Sequence, residues 1–190
     1  MNRTSTRRSI ARSWVWVLLV LSFAGCRPSK GGRTYPPPAT FIQRNELGRF
    51  TEHGVEVAVW LESDVDGRSL LRATFRPVEQ GFHLYGKDMP EGGIKGVGVP
   101  TRFEVSADSS VIVAGPTFSD IAPQEVRIDV LDVTLPIYKD GPVTLRIPVD
   151  FAQDRGNSVR LSFSYMACKT DGVCLRAVKG KILQVNIPRQ

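Results

Sequence analysis

The chain has 190 residues, 42% of them hydrophobic and 23% charged, with 25 Lys and Arg against 19 Asp and Glu. Seven of the basic residues lie at or before Arg33 and no acid precedes Glu46, so from Thr34 onward 18 bases face 19 acids, a net charge of −1. That balance excludes nucleic-acid binding, which needs a basic surface on the folded part; the early positive charge suits export and a position beside anionic lipid.

Residues 1–13 carry Arg3, Arg7, Arg8 and Arg12 and no acid, and Trp14 to Ala24 is an apolar run. About 20 apolar residues are needed to span a bilayer, so this run is the core of a signal peptide and not a membrane span. It ends in Phe23-Ala24-Gly25-Cys26, which resembles a bacterial lipobox and implies lipidation of Cys26. Residues 1–25 are then a lipoprotein-type signal peptide. Thr6-Arg7-Arg8-Ser9-Ile10 also resembles a twin-arginine export signal. The expected location is the periplasm, anchored to a membrane by lipidated Cys26, or secretion without that lipid. Residues 26–40 hold four prolines and almost no apolar side chain. They read as a tether, because such a composition cannot bury a core. Residues 41–190 remain as one domain, about 150 residues and enough for a real core.

Those residues alternate with a period of two, the mark of half-buried strands. Val55, Val57, Val59 and Leu61 alternate with Glu56, Ala58, Trp60 and Glu62, and Leu70 to Phe75 continues after the Asp66-Gly67 turn. Val126, Ile128 and Val130 alternate with Arg127, Asp129 and Leu131. Val143 to Phe151 and Val159 to Tyr165 follow the same rule, and Val178 to Ile187 is a less regular last strand. Turn signals separate them, at Gly92-Gly93, Ala114-Gly115-Pro116, Asp140-Gly141-Pro142 and Arg155-Gly156-Asn157. Short strands with frequent turns predict an all-β, antiparallel sandwich, with an open Greek-key barrel as the competing architecture.

Outside the cytoplasm thiols oxidise and disulfides persist. With Cys26 assigned to lipid, Cys168 and Cys174 are left for each other, flanking a turn with Asp171 and Gly172 at its centre. In an antiparallel hairpin centred there the two stand opposite, with Cα atoms about 4.5 or 5.5 Å apart, close enough for a disulfide. Closing so small a loop contributes about 2.4 kcal/mol by chain-entropy arithmetic. That is little for a domain of this size, and it favours chemistry over architecture without excluding a staple. Lys169, Arg176, Lys179 and Lys181 surround the pair in sequence, and positive charge stabilises thiolate.

Tyr165-Met166-Ala167-Cys168 followed by Asp171-Gly172-Val173-Cys174 resembles the N-terminal periplasmic domain of the thiol–disulfide interchange protein DsbD. The upstream Gly81-Phe82-His83-Leu84-Tyr85 is similar to that family's Gly-Tyr-Tyr-Leu-Tyr segment. Leu131-Asp132-Val133-Thr134-Leu135-Pro136-Ile137 resembles the strand after the family's cap loop. The resemblance covers roughly residues 50–187. It implies an immunoglobulin-like sandwich, with Cys168 and Cys174 as the exchanging pair. Cys174 would form the mixed disulfide with a partner and Cys168 would resolve it. Tyr165, His83 and Tyr85 would line the site, and Phe118, within Gly115 to Asp120, would serve as a cap. The implied partners are exported thioredoxin-fold proteins and a separate membrane electron donor, and no cofactor is implied. The chain departs from the pattern in places: His83 replaces a tyrosine, Leu175-Arg176-Ala177 replaces Tyr-Pro-Pro, and Gly115 to Asp120 keeps Phe118 without a recognisable cap motif.

Two other readings stand beside this one. A metal site is disfavoured, since five residues between the cysteines do not match zinc spacing; a copper site would need Cys168, Cys174 and His83. The stronger rival is an immunoglobulin-like binding lipoprotein whose Cys168–Cys174 disulfide is purely structural.

Overall fold

The computed structural model describes residues 41–188 apart from 140 and 152–155, and for 41–43 and 130 the backbone only. The signal peptide, Cys26 and the tether lie outside the described residues.

Among the described residues thirteen strands form in chain order. They are β1 (Phe41–Glu52), β2 (Val55–Asp64), β3 (Ser69–Pro77), β4 (Phe82–Tyr85), β5 (Arg102–Val105), β6 (Val111–Val113), β7 (Phe118–Ser119), β8 (Gln124–Ile128), β9 (Val133–Tyr138), β10 (Val143–Phe151), β11 (Ser158–Tyr165), β12 (Ala167–Lys169) and β13 (Val178–Asn186). One sheet has six strands in the order β1-β2-β3-β10-β6, with β7 also pairing β10. A second runs β13-β11-β5 and a third β12-β4-β9-β8. Every pairing of these strands is antiparallel. The strands thus divide among three sheets across one core, giving the sandwich and not the barrel.

The alternation seen in sequence is the alternation of burial. Val55, Val57, Val59 and Leu61 of β2 point into one apolar cluster, together with Leu71, Ala73 and Phe75 of β3 and Val143, Leu145, Ile147 and Val149 of β10. Val159, Leu161, Phe163 and Tyr165 of β11 face them from the other layer, with Phe82 and Leu84 of β4 beside them. Phe163 is the hub of this core. Its ring stacks on Phe103 at 6.1 Å and meets Phe50 and Phe75 edge-on at 5.3 and 6.2 Å, the offset and T-shaped geometries aromatic rings prefer.

Several elements go beyond the sequence pattern, among them the short strands β5, β6, β7 and β12. β1 is a strand that the pattern does not announce. The strand expected to run through Leu131 stops at Ile128 and turns as a short 3-10 helix over Asp129–Leu131, ended by Asp132 in the left-handed conformation at φ 48°.

The outer face of the large sheet carries a buried ionic group. Glu62 of β2 has no exposed side-chain surface and binds three arginines: Arg44 of β1 at 3.2 Å, Arg72 of β3 at 3.0 Å and Arg146 of β10 at 3.2 Å. Arg72 and Arg146 are direct cross-strand partners. Like charges so placed repel, and the carboxylate between them offsets that repulsion.

Phe163→Ala is expected to cost about 3–5 kcal/mol, read from the urea midpoint at unchanged slope. A loss below about 1 kcal/mol would show that Phe163 is not the hub of the core.

Candidate functional site: a half-buried disulfide at a sheet edge

The hairpin of β11 and β13 changes sheets on the way to its tip. At its base the register runs Ser158↔Asn186 to Phe163↔Lys181; it then shifts, so that Tyr165 faces Val178. The bulge is set by Gly180, whose φ is +67° and whose N–H donates to Ser164 Oγ at 3.1 Å. Bulges bend and twist a strand. Beyond this one the chain leaves its first sheet, and β12 pairs with β4 in register Ala167↔Leu84, Cys168↔His83, Lys169↔Phe82.

The tip is a three-residue loop. Gly172 N–H donates to Lys169 O at 3.0 Å, Lys169 N–H to Val173 O at 2.7 Å, and Val173 N–H to Asp171 Oδ1 at 3.2 Å. Gly172 takes a φ of +94°, the left-handed residue that closes a type I turn into a bulged hairpin. Leu175 N–H donates to Ala167 O at 2.9 Å. These bonds bracket Cys168 and Cys174 as a non-hydrogen-bonded pair, the arrangement that brings opposed side chains closest. The two form a disulfide with Cα atoms 4.0 Å apart.

The sulfurs sit in different surroundings. Cys168 is 2% exposed, whereas Cys174 is exposed at the rim of the sheet. Alternation along a strand explains the buried side. Ala167 faces the main core, so Cys168 faces the opposite side of its sheet, where a second apolar cluster gathers Tyr85, Met89, Val133, Leu135 and Ile137, flanked by Ile94, Val97 and Met166. Residues 86–101 cover this cluster. Their ends are held by Gly86 N–H to Pro136 O at 2.7 Å and Thr101 N–H to Tyr85 O at 3.2 Å. Arg102 donates to Lys87 O and Met89 O, and Lys95 Nζ donates to Asp132 O at 2.7 Å.

Of the residues expected to line the site, His83 and Tyr85 are brought to the sulfur's face. His83 is the direct cross-strand partner of Cys168 and is buried, and its ring meets Tyr85 edge-on at 5.6 Å. Burial pushes the Tyr85 phenol above its ordinary range. Tyr165 turns the other way. Its ring packs into the main core against Phe75 at 5.7 Å, and its hydroxyl donates to Glu52 O at 3.1 Å. Burial, then the Glu52 carboxylate nearby, raises its phenol too. Phe118 lies on β7 opposite Arg146 in the large sheet, and it is not among the residues clustered around Cys168.

Two of the four cations named from the sequence, Lys169 and Lys181, are engaged elsewhere. Lys169 points to the face opposite the sulfur, over the Phe82 ring at 4.8 Å and 3.9 Å from Glu79. Lys181 pairs with Glu52 at 2.8 Å. Among the described residues no group of three His, Cys, Asp or Glu side chains is arranged to hold a metal ion.

Sequence reasoning gave no weight to the β1–β2 turn, which supports the chain just after Cys174. His53 and Gly54 take φ of 46° and 71°, as a two-residue hairpin turn of this type requires. Val78 N–H donates to Gly54 O at 2.8 Å. Leu175 packs so closely that a Cβ on Gly54 would lie 2.5 Å from its Cδ1. The signal was present as His53-Gly54 just before the alternating pattern of β2.

No family model matches the chain, and no curated protein matches it. Among solved structures it is similar to the N-terminal domain of DsbD from Neisseria meningitidis, crystallised in the reduced form. The identity is 13%, the alignment covers 61% of this chain and 82% of that one, and the TM-score is 0.37. A likeness of that size says nothing of chemistry, which rests on the site's own geometry.

Two glycines separate conformation from contact. Gly172→Ala meets open space and should cost only the left-handed penalty, about 1–2 kcal/mol. Gly54→Ala carries the same penalty and must also displace Leu175, so its loss of stability in urea unfolding should be the larger. Equal losses would show that Leu175 is not seated on the turn. The two buried tyrosines set an alkaline limit. Their raised pKa values mean stability that is full below about pH 10, the unfolded value, and lost as pH rises through the folded values. Tyr165→Phe should flatten that decline in unfolding free energy measured from pH 9 upward; an unchanged decline would contradict it.

Proposed function

We propose that this chain is a thiol–disulfide exchange domain working through Cys168 and Cys174. One observation carries the reading: the disulfide joins an exposed cysteine to a buried one at the edge of a sheet. Exchange begins when a thiolate attacks one sulfur of a disulfide and the other leaves. The exposure of Cys174 directs that attack to its sulfur, so Cys168 is the leaving group. A partner thiolate bonds to Cys174 Sγ, the Cys168–Cys174 bond breaks, and Cys168 takes up a proton. The partner's second thiol then attacks the mixed disulfide and releases Cys174. Two electrons have entered the chain as two thiols, and the reverse sequence delivers them to an acceptor disulfide.

The DsbD-like cysteine motif and the Gly81–Tyr85 segment support a donor in a separate membrane protein and acceptors among exported thioredoxin-fold proteins. The basic, apolar N-terminus ending at Cys26 supports export and a lipid anchor in the periplasm. The small loop closed by the bond argues against a purely structural disulfide, since it contributes only about 2.4 kcal/mol.

A reduction-potential titration tests the reading. A value above about −300 mV is expected, and a value below it, in the range of structural disulfides, would return the chain to a binding module. Cys168→Ala should accumulate mixed disulfides through Cys174 with exported thioredoxin-fold proteins. Absence of such adducts, in a variant folded like the parent, would sink the proposal.

A further inference from the structure

We infer that His83 is the base that takes the proton of Cys168 when the reduced pair closes again. The inference rests on the exchange reading and goes beyond a lining role for this residue.

Geometry places the two groups together. Cys168 and Cys174 form a non-hydrogen-bonded pair, so the N–H and C=O of Cys168 point the other way, towards β4. Its register partner there is His83, and such a pair has Cα atoms about 5.5 Å apart with both side chains on one face. His83 is 6% exposed and Cys168 2%. A bare thiolate is costly in apolar surroundings, so the proton must leave Cys168 as its new bond forms, to a group already beside it.

The neighbours leave the imidazole as the group suited to that task. On this face β4 adds Tyr85, whose phenol burial keeps in its neutral form near pH 7. From β9, Tyr138 is paired with Leu84 and lies with it in the main core, on the other face of this sheet. On β12, Lys169 faces the opposite side with Glu79. The covering segment offers Met89, Ile94 and Val97, and its Lys95 is turned to Asp132. Imidazole is the side chain whose intrinsic proton affinity best suits general-base work at neutral pH.

A partner is joined to Cys174 as a mixed disulfide. The Cys168 S–H proton passes to His83 while Cys168 Sγ bonds to Cys174 Sγ. The bond from Cys174 to the partner breaks, and the partner leaves as a thiolate that takes a proton from the imidazolium or from water. The chain's two thiols are oxidised, and the partner's original disulfide is reduced by two electrons.

Oxidised glutathione serves as the probe. The reduced full-length chain is mixed with it and quenched with acid, and mass spectrometry separates formation of the glutathione adduct from its closure. His83→Gln should slow closure about 100-fold at pH 7, far more than it slows adduct formation. The closure rate of the variant should rise with pH into the thiol range more steeply than that of the wild type. His83→Tyr keeps a ring in the wall and should show the same altered profile, which separates loss of the base from loss of packing. Added imidazole should restore closure to His83→Ala. Identical closure rates and pH profiles in wild type and both His83→Gln and His83→Tyr would overturn the assignment while leaving exchange intact. A wild-type chain that forms no glutathione adduct would instead overturn exchange itself.

Discussion

The structure depends on one hairpin that belongs to two sheets. Its base, β11 with β13, is part of the main sandwich layer, and its tip is pulled across to β4. The bulge at Ser164 and Gly180 makes the change of sheet, and Tyr165 secures it by filling the core and tying its hydroxyl to the β1–β2 turn. Without that crossing Cys168 would continue along a sandwich strand. With it, Cys168 faces a second apolar cluster, and the next residues form an edge that leaves Cys174 in solvent.

This arrangement sets the order of cause among the parts. The main core and the cluster beneath residues 86–101 hold the hairpin tip, and the disulfide is a consequence of that placement. A bond worth about 2.4 kcal/mol by loop closure is small beside the burial of Phe75, Phe103, Phe163 and Tyr165, each of them at most 1% exposed. The burial of these rings, and not the bond, is what holds the fold together. A redox pair needs that independence and a structural staple does not.

Much of this was legible in the sequence, for physical reasons that differ by element. β2, β3, β10 and β11 have one face in the core and one towards solvent, so their alternation was plain. β1 was not, because it is an edge strand of mostly polar residues interrupted by two register shifts, at Phe41/Gln43 and Glu46/Gly48. The end of β8 was overrun because Val130 and Leu131 keep the apolar rhythm, while the turn is made by Asp132 in a backbone conformation that its side chain does not advertise. The cysteine hairpin was readable from its spacing and from Asp171-Gly172. The unequal exposure of its sulfurs was not, since the face of Cys168 is decided by pairing with β4, far away in sequence. The separation of Tyr165 and Cys168 held an unused clue: three residues apart on extended chain, two side chains point to opposite faces. The structure bears this out, with the Tyr165 ring in the core and the sulfur across the sheet.

The carboxylate of Glu62 has a meaning beyond the charge it carries. Its three arginines come from β1, β3 and β10, so its bonds are complete only when four strands stand in their proper order and alignment. A slip of one residue in any of them would turn a side chain to the wrong face and leave a buried charge uncompensated, at a cost of several kcal/mol. The apolar residues of the same strands forgive a slip of two residues, which keeps the faces and lets one valine replace another along a ladder such as Val55, Val57 and Val59. Glu62 thus acts as an error check on assembly: a sheet built out of step is rejected by electrostatics before its hydrophobic contacts could accept it.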